Sequence, residues 1–391
     1  HFASTIIDSQ VRIGSAVGNG NAITVGPAAP GNGTLHDGVY FGGEIGGSTR
    51  VLIGWNEIDV LTTTGGGATS FGDMGIRFDG FVNTSVAGSS GVGIVGNMIS
   101  AGGGQEDRGI SFWNGIGGSS TVRIADNTIA AGDDGIGVFD TIGGNLNQAM
   151  RDDARLVIEG NTIGTAGARV GESNAGDGNG IDFQAVTGAS QVVIDDNDIF
   201  SRMNAIEFDK LVDTAFAGPG SGIEITNNHN IDSRLENGID FAAGVVGSSV
   251  LIAGNNNGIV AAQHGIDFGA AVTDAVIDIN SNIIDAGNAG NFFGDGVHFA
   301  STVHNTALTI GGAGASGNTN NVGNNGNSND SLHDGIYFGG DVTGDANIDI
   351  RRNTITVEEG DGTASSALMG DTGIRFDGFV NLTGGGVDLS L

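Results

Sequence analysis

The chain has 391 residues, of which 74 are glycine, 3 are proline and none is cysteine, and its formal net charge is −31. The lack of cysteine excludes disulfides and thiolate metal sites. So acidic a surface repels phosphate groups, which excludes nucleic acid as an expected partner, and no apolar run reaches the ~18 residues that predict a membrane span.

A short motif, Gly-Ile-x-Phe, recurs along the whole sequence. Its eleven copies, some with one residue changed, stand 25 to 45 residues apart. They begin at Gly38, Gly75, Gly109, Gly135, Gly180, Ala205, Gly238, Gly265, Gly296, Gly335 and Gly373. Such repetition predicts one continuous solenoid over residues 1–391. Because side chains alternate across a strand, we expect the final residue to face inward in a stacked ladder. The expected members are Phe41, Phe78, Phe112, Phe183, Phe208, Phe241, Phe268, Phe299, Phe338 and Phe376.

A second motif, Val-x-Ile-x-x-Asn-x-Ile, follows most copies of the first, as in residues 122–129. Alternating apolar residues predict a strand with one buried face, and the Asn predicts a turn before another short strand. We expect the Asn side chains to stack along one corner, where each amide hydrogen-bonds the next. The expected members are Asn56, Asn97, Asn127, Asn161, Asn197 and Asn353.

The two motifs together predict coils of about three short strands and roughly 33 residues, hence about 11–12 coils in the chain. Short strands that return in the same direction without crossover helices are typical of an all-β parallel β-helix, or β-solenoid. Negligible helix is expected, with residues 145–155 as the best candidate for a short one.

The alternation of Gly-Ile-x-Phe with Ile-x-x-Asn-x-Ile resembles the parallel β-helix repeats of the pectate-lyase-like superfamily, over nearly the whole chain. The resemblance implies a right-handed parallel β-helix and leaves the activity open, since lyases, hydrolases, epimerases, phage tailspikes and surface adhesins share the fold. Asp133-Asp134 and His264-Gly265 resemble fragments of polygalacturonase-like motifs. They stand several coils apart, and the Gly-His-Gly and Arg-x-Lys patterns of those enzymes are incomplete or missing.

A longer period underlies the coils. Residues 1–5 return as residues 298–302, and residues 35–43 return as residues 332–340 with one substitution, both after 297 positions. Residues 1–297 are therefore interpreted as one superrepeat unit and residues 298–391 as the start of a second copy. Neither end shows a polar cap, so we expect a window of a longer chain of such units or a subunit that stacks head-to-tail.

The third residue of each Gly-Ile-x-Phe copy is expected to face outward in a surface column. Asp182, Glu207, Asp240 and Asp267 are successive members, about 4.8 Å apart, and would repel one another unless they are protonated or share a cation. They predict a calcium site, because Ca²⁺ prefers carboxylate oxygens, although no cofactor is required. The alternative is a solvated acidic stripe that prevents sideways sheet pairing.

These observations favour a structural protein without catalytic residues: a secreted β-solenoid at the cell surface or outside the cell. It would form a filament, or the stalk of a giant adhesin, by end-to-end stacking of 297-residue units on itself. One alternative is a polysaccharide lyase or hydrolase, with Asp182 and Glu207 as acid and base. A second is a glycan-binding tailspike or adhesin.

Overall fold

The computed structural model describes residues 1–14, 20–26, 37–61, 73–85, 91–102, 107–139, 149–172, 178–215, 222–287, 294–311, 317–322, 334–357 and 372–390. Within these ranges the chain forms strands and no helix, which confirms the all-β fold class. The short helix is wrong for residues 149–155, which form a β-bridge and a turn before a strand, and residues 145–148 lie outside the described ranges. The chain divides into two compact units, His1–Arg202 and Met203–Leu391, each taken by itself below.

The first unit consists of short strands, each of which pairs in parallel with the strand three or four places further along the chain. They are β1 (Ile6–Ile7), β2 (Gln10–Ile13), β3 (Ala22–Val25), β4 (Asp37–Phe41), β5 (Ile45–Gly47), β6 (Arg50–Gly54), β7 (Glu57–Val60), β8 (Met74–Phe78), β9 (Val82–Thr84), β10 (Val92–Val95), β11 (Met98–Ala101), β12 (Ile110–Phe112), β13 (Thr121–Ala125), β14 (Thr128–Ala131), β15 (Ile136–Val138), β16 (Arg155–Glu159), β17 (Thr162–Ile163), β18 (Ile181–Phe183), β19 (Val186–Thr187), β20 (Gln191–Asp195) and β21 (Asp198–Ser201). Its sheets run β2-β6-β10-β13-β16-β20, β3-β7-β11-β14-β17-β21, β4-β8-β12-β15-β18 and the shorter β1-β5-β9. This is the topology of a parallel β-solenoid.

The second unit repeats the same arrangement. Its strands are β22 (Ile206–Phe208), β23 (Val212–Asp213), β24 (Gly222–Thr226), β25 (Asn230–Ser233), β26 (Ile239–Phe241), β27 (Val245–Val246), β28 (Ser249–Ala253), β29 (Ile259–Val260), β30 (Ile266–Phe268), β31 (Val272–Thr273), β32 (Val276–Asn280), β33 (Ile283–Ala286), β34 (Val297–Phe299), β35 (Val303–His304), β36 (Ala307–Gly311), β37 (Thr319–Val322), β38 (Asp334–Phe338), β39 (Val342–Gly344), β40 (Asn347–Arg351), β41 (Thr354–Val357), β42 (Thr372–Phe376), β43 (Val380–Leu382) and β44 (Gly386–Ser390). The sheets run β22-β26-β30-β34-β38-β42, β23-β27-β31-β35-β39-β43, β24-β28-β32-β36-β40-β44 and β25-β29-β33-β37-β41.

Phenylalanine rings from the Gly-Ile-x-Phe strands stack inside each unit. In the first unit the rings of Phe41 and Phe78 are parallel with centroids 4.8 Å apart, and Phe112 continues the stack at 4.6 Å. Val138 stands at the next position, beside the buried Phe183. In the second unit the centroids lie 4.5–4.8 Å apart along Phe208, Phe241, Phe268, Phe299, Phe338 and Phe376. This spacing equals the distance between neighbouring strands, so the rings follow the backbone register.

Asparagine amides form a second ladder at one corner of the coil. The Oδ1 atom of Asn97 accepts hydrogen bonds from the backbone N–H and the Nδ2 of Asn56, at 3.0 and 2.9 Å. Its own Nδ2 donates to Asn127 Oδ1 and to the Ile53 carbonyl, both at 2.9 Å. The ladder of the first unit continues through Asn161 and Asn197. Each amide therefore satisfies buried backbone groups as well as its neighbours.

The second unit has its own asparagine ladder, formed by Asn228, Asn255, Asn282, Asn318 and Asn353. Of these members, only Asn353 was predicted from the sequence. Asn228, Asn255 and Asn282 each stand three positions after a strand Ile, which is the signal that could have found them. Asn318 does not fit this spacing, because additional residues separate it from Ile310, and the motif therefore did not predict it.

The motif glycines are required by close packing. A methyl group on Gly109 would lie 2.3 Å from Ile129 Cγ2 and 2.5 Å from the Gly135 carbonyl oxygen, both far inside van der Waals contact. The same conflict with an Ile of the neighbouring sheet and a carbonyl of the next coil occurs at Gly38, Gly75, Gly135, Gly238, Gly265 and Gly335. The glycine thus lets adjoining sheets approach at the corner.

Candidate functional site

The third residues of the Gly-Ile-x-Phe strands form an outward column in each unit. The column is not exposed along its whole length as predicted, because Arg77 and Ser111 are buried in the first unit and Asp240 in the second. In the first unit strand register aligns Tyr40, Arg77, Ser111, Gly137 and Asp182. In the second unit it aligns Glu207, Asp240, Asp267, His298, Tyr337 and Arg375.

Asp240 is the most unusual carboxylate of the second column. It is 8% exposed, its Oδ2 accepts a hydrogen bond from Asn204 Nδ2 at 3.3 Å, and its buried Oδ1 has no hydrogen-bond partner. Burial and the neighbouring charges of Asp267 and Glu207 raise the pKa of Asp240 to about 7. Asp240 is therefore a buried carboxyl group that titrates near neutral pH.

Asp267 is joined to the next column member. Its Oδ1 lies 2.7 Å from His298 Nδ1, and its Oδ2 accepts from Asn237 Nδ2 at 3.4 Å. The side chains of Asp267 and His298 are 13% and 14% exposed. Because the Nδ1 atom faces the carboxylate, the pair orients the imidazole of His298 as a carboxylate–histidine dyad.

A polar ladder that was not predicted from the sequence is formed by the residues immediately before the Gly-Ile-x-Phe motifs, most of which begin with glycine. In the second unit Asn204 Oδ1 accepts the backbone N–H of Asn237 at 2.9 Å, and Asn237 Oδ1 accepts that of His264 at 3.0 Å. His264 Nδ1 then accepts the N–H of Asp295 at 3.0 Å, and Asp295 Oδ1 accepts that of Asp334 at 2.8 Å. Each side chain thus supplies an acceptor to the next coil. We call this set the pre-glycine ladder.

The pre-glycine ladder and the outward column meet at three side chains. Ligand atoms of His264, Asp295 and His298 lie within 4.8 Å of one another, the only such group of three or more found in the described ranges. His264 Nδ1 is 3.3 Å from Asp295 Oδ2, and the rings of His264 and His298 stack with centroids 4.1 Å apart. The sequence contains a signal for this group: His264 and Asp295 each precede a motif glycine, and His298 stands two residues after Gly296.

The first unit buries its charges in a different way. Arg108 binds Asp133 at 2.9 Å and Asp134 at 2.7 Å, with its guanidinium 5.2 Å from the Trp113 ring centroid. Burial alone would lower the pKa of Arg108, but the charges of Asp134 and Asp133 outweigh it and raise that pKa. The Asp133-Asp134 fragment is therefore held in a buried ion pair. Asp182, the column carboxylate of this unit, also acts electrostatically on Arg108.

A tyrosine–arginine–aspartate cluster recurs after one superrepeat. Tyr40 donates to Asp79 Oδ2 at 2.8 Å, and Arg77 Nε donates to Asp79 Oδ1. At the equivalent place in the second unit Tyr337 donates to Asp377 at 3.0 Å and Arg375 binds the same carboxylate through Nε and Nη2. Burial and the bond to Asp79 raise the pKa of Tyr40 to about 12. These are the same contacts, 297 or 298 residues apart.

The predicted calcium ligands are divided between the units. Asp182 belongs to the first unit, whereas Glu207, Asp240 and Asp267 occupy neighbouring strands of the second. Among the described residues these carboxylates do not converge within 4.8 Å as a group, because Asp267 faces His298. Calcium binding by this column stays a prediction, and the compact cluster of ligand atoms lies at His264, Asp295 and His298.

Among the residues that the structure describes, no helix is long and apolar enough to cross a membrane. Comparison with protein-family models, with curated proteins and with solved structures found no match to this chain.

Proposed function

We propose that this chain is a structural β-solenoid that acts as a segment of an extracellular filament or adhesin stalk. The observation that carries the proposal is the recurrence of the Tyr–Arg–Asp cluster with the same bonds after 297 or 298 residues. A protein selected for length repeats its framework, contacts included, whereas a single catalytic cleft needs each group only once. The stacked phenylalanines and the amide ladder support the same interpretation, since they stiffen every coil that carries them.

Self-association of 297-residue units is part of this proposal. Parallel strands expose unpaired N–H and C=O groups at an open end, so identical units can add head-to-tail and build a filament. The net charge of −31 would keep the sides of such filaments apart. Nine motif intervals separate Gly38 from Gly335. At about 4.8 Å per strand, the axial period would be about 43 Å.

Electron microscopy of the tag-free chain, over a range of protein concentrations, tests the filament. We expect filaments several times longer than one chain, with an axial repeat of about 55 Å, set by the roughly 11–12 coils of the stacked chain. Sedimentation velocity on the same samples should show a mass that grows with concentration. Monodisperse single chains at every concentration would refute end-to-end assembly.

A polysaccharide lyase or hydrolase is the second candidate, and the Asp267–His298 dyad beside Asp240 is the observation that favours it. An oriented imidazole and a carboxyl group with a pKa of about 7 are suited to proton transfer at neutral pH. Incubation with acidic and neutral polysaccharides, followed by reducing-end and ultraviolet assays, tests this activity. Loss of product in His298→Gln and Asp240→Asn, with retention in Asp278→Asn, would support an enzyme. No product from the unsubstituted chain would eliminate it.

A further inference from the structure

Four side chains form a two-by-two array on consecutive coils of the second unit. His264 and Asp267 stand three residues apart on one coil, and Asp295 and His298 have the same spacing on the next. Strands β30 and β34 pair Asp267 with His298 in register, while the Asp295 amide bonds His264 Nδ1. Each imidazole therefore faces the carboxylate of the other coil. The array joins side chains far apart in sequence on a rigid parallel sheet.

The donor atoms already have spacings that suit one small ion. Zinc binds imidazole nitrogen and carboxylate oxygen at about 2.0–2.2 Å, so two ligands of a tetrahedral ion lie about 3.3 Å apart. His264 Nδ1 and Asp295 Oδ2 are separated by 3.3 Å. His298 completes a group whose ligand atoms lie within 4.8 Å of one another.

Burial and charge also favour a cation at this position. The side chains of His264 and Asp295 are 14% and 9% exposed, so the group is largely shielded from solvent but not sealed off from it. Asp295 and Asp267 place two carboxyl groups beside the two imidazoles. Asp267 holds Nδ1 of His298 at 2.7 Å, which is the arrangement that fixes a ligating histidine and leaves its Nε2 for the metal.

The imidazole donors select the class of ion. Ca²⁺ and Mg²⁺ take oxygen ligands, whereas nitrogen ligands suit Zn²⁺ and similar transition-metal ions. We propose that His264, Asp295 and His298 bind one divalent transition-metal ion of the zinc class, with Asp267 positioning the His298 ring.

Binding would rearrange the cluster locally. The rings of His264 and His298 are nearly parallel, with an interplanar angle of 12°. The lone pair of a ring nitrogen lies in the plane of its ring, so two parallel stacked rings do not direct their lone pairs at one point. One ring turns out of the stack when the ion enters, and the metal replaces the Asp295 N–H at His264 Nδ1. All three proposed ligands belong to the second unit, so metal binding does not depend on filament formation.

Titration calorimetry with ZnCl₂ on the chelator-treated, tag-free chain is the direct test. We expect one saturable zinc site per chain, and Co²⁺ should give the intense visible absorption of four-coordinate cobalt. His264→Gln and His298→Gln should each weaken binding at least tenfold, and Asp267→Asn should weaken it about 10- to 100-fold. His304→Gln is the matched control, because His304 bonds Thr343 Oγ1 on another sheet and should leave zinc affinity unchanged.

Two results would overturn the proposal. One is the absence of saturable zinc or cobalt binding at one equivalent by the unsubstituted chain. The other is equal binding by a folded His264→Gln/His298→Gln double variant, which would assign the metal to the acidic surface. Circular dichroism checks the fold of each variant. Zinc should also raise the melting temperature of the unsubstituted chain and of His304→Gln, but not that of the double variant.

Discussion

Removal of a single amide from the asparagine ladder should destabilise the first unit far more than its size suggests. Asn127→Ala deletes the Oδ1 atom that accepts the backbone N–H and the Nδ2 of Asn97, both at 2.9 Å. It also deletes the Nδ2 donor to Asn161 Oδ1 and to the Ile94 carbonyl, again at 2.9 Å. Asn127 is 1% exposed and Asn97 2% exposed, so water does not replace these partners without opening the coil.

The expected loss follows from the groups that are left unpaired. The substitution leaves the backbone N–H and one Nδ2–H of Asn97 without an acceptor. Each buried donor without a partner costs about 1–3 kcal/mol. Together they predict a loss of about 4 kcal/mol in the free energy of unfolding. Asn127→Asp keeps the acceptor but loses the donor unless the carboxyl is protonated. This variant should be most stable at low pH and lose stability as the carboxyl ionises.

Urea unfolding followed by far-ultraviolet circular dichroism measures both variants. Asn83→Ala is the matched control, because Asn83 is exposed on β9 and its loss should change stability by less than about 0.5 kcal/mol. If Asn127→Ala costs no more than this control, the ladder bonds do not stabilise the coil and the reasoning is wrong.

Three other substitutions test packing and charge. Gly109→Ala should cost about 1–3 kcal/mol by overpacking, and Gly167→Ala, where a methyl group meets nothing within 4 Å, should cost far less; equal costs would contradict the packing argument. Burial raises the folded-state pKa of Asp240 from its ordinary 3.8 to about 7, so this carboxyl group stabilises the fold fully below pH 3.8. That contribution, at most about 4 kcal/mol, is lost as the pH rises through 7. Thermal melts across this range should show a smaller decline in Asp240→Asn, and parallel curves would contradict the shift. Arg108→Met leaves its aspartates buried without a cation and should cost about 3–5 kcal/mol in urea unfolding, against little for the exposed Arg155→Met; a loss no larger than this control would contradict the buried ion pair.

The fold class was predictable because its signals are local and repeated. Residues such as Val122 and Ile124 alternate with polar neighbours along one strand, and Phe112 ends a motif whose copies recur at the coil period. Strand pairing in register then stacks like on like, as Val122 on Val92 and Ile124 on Ile94. The right-handed sense stays a prediction that rests on resemblance.

The candidate site was less accessible to sequence reasoning. The third residue of each motif defines the predicted column, which includes His298 but not His264, a residue that the sequence relates only to a polygalacturonase-like fragment. Their meeting depends on the side of the coil to which the residue before the glycine points, and the apolar pattern does not report that direction. The pairing of Arg108 with Asp133 likewise needs the turn geometry between strands.

The pre-glycine ladder separates what the backbone requires from what the side chain can contribute. Each position needs only one side-chain atom that accepts the backbone N–H of the next coil. The amide of Asn237, the carboxylate of Asp295 and the imidazole of His264 all provide such an atom. Chemical identity can therefore change at these positions while the bond to the next coil persists. A solenoid built in this way has a row of positions that accept several residue types. Reactive side chains can therefore replace one another there, one coil at a time, without a change in the backbone.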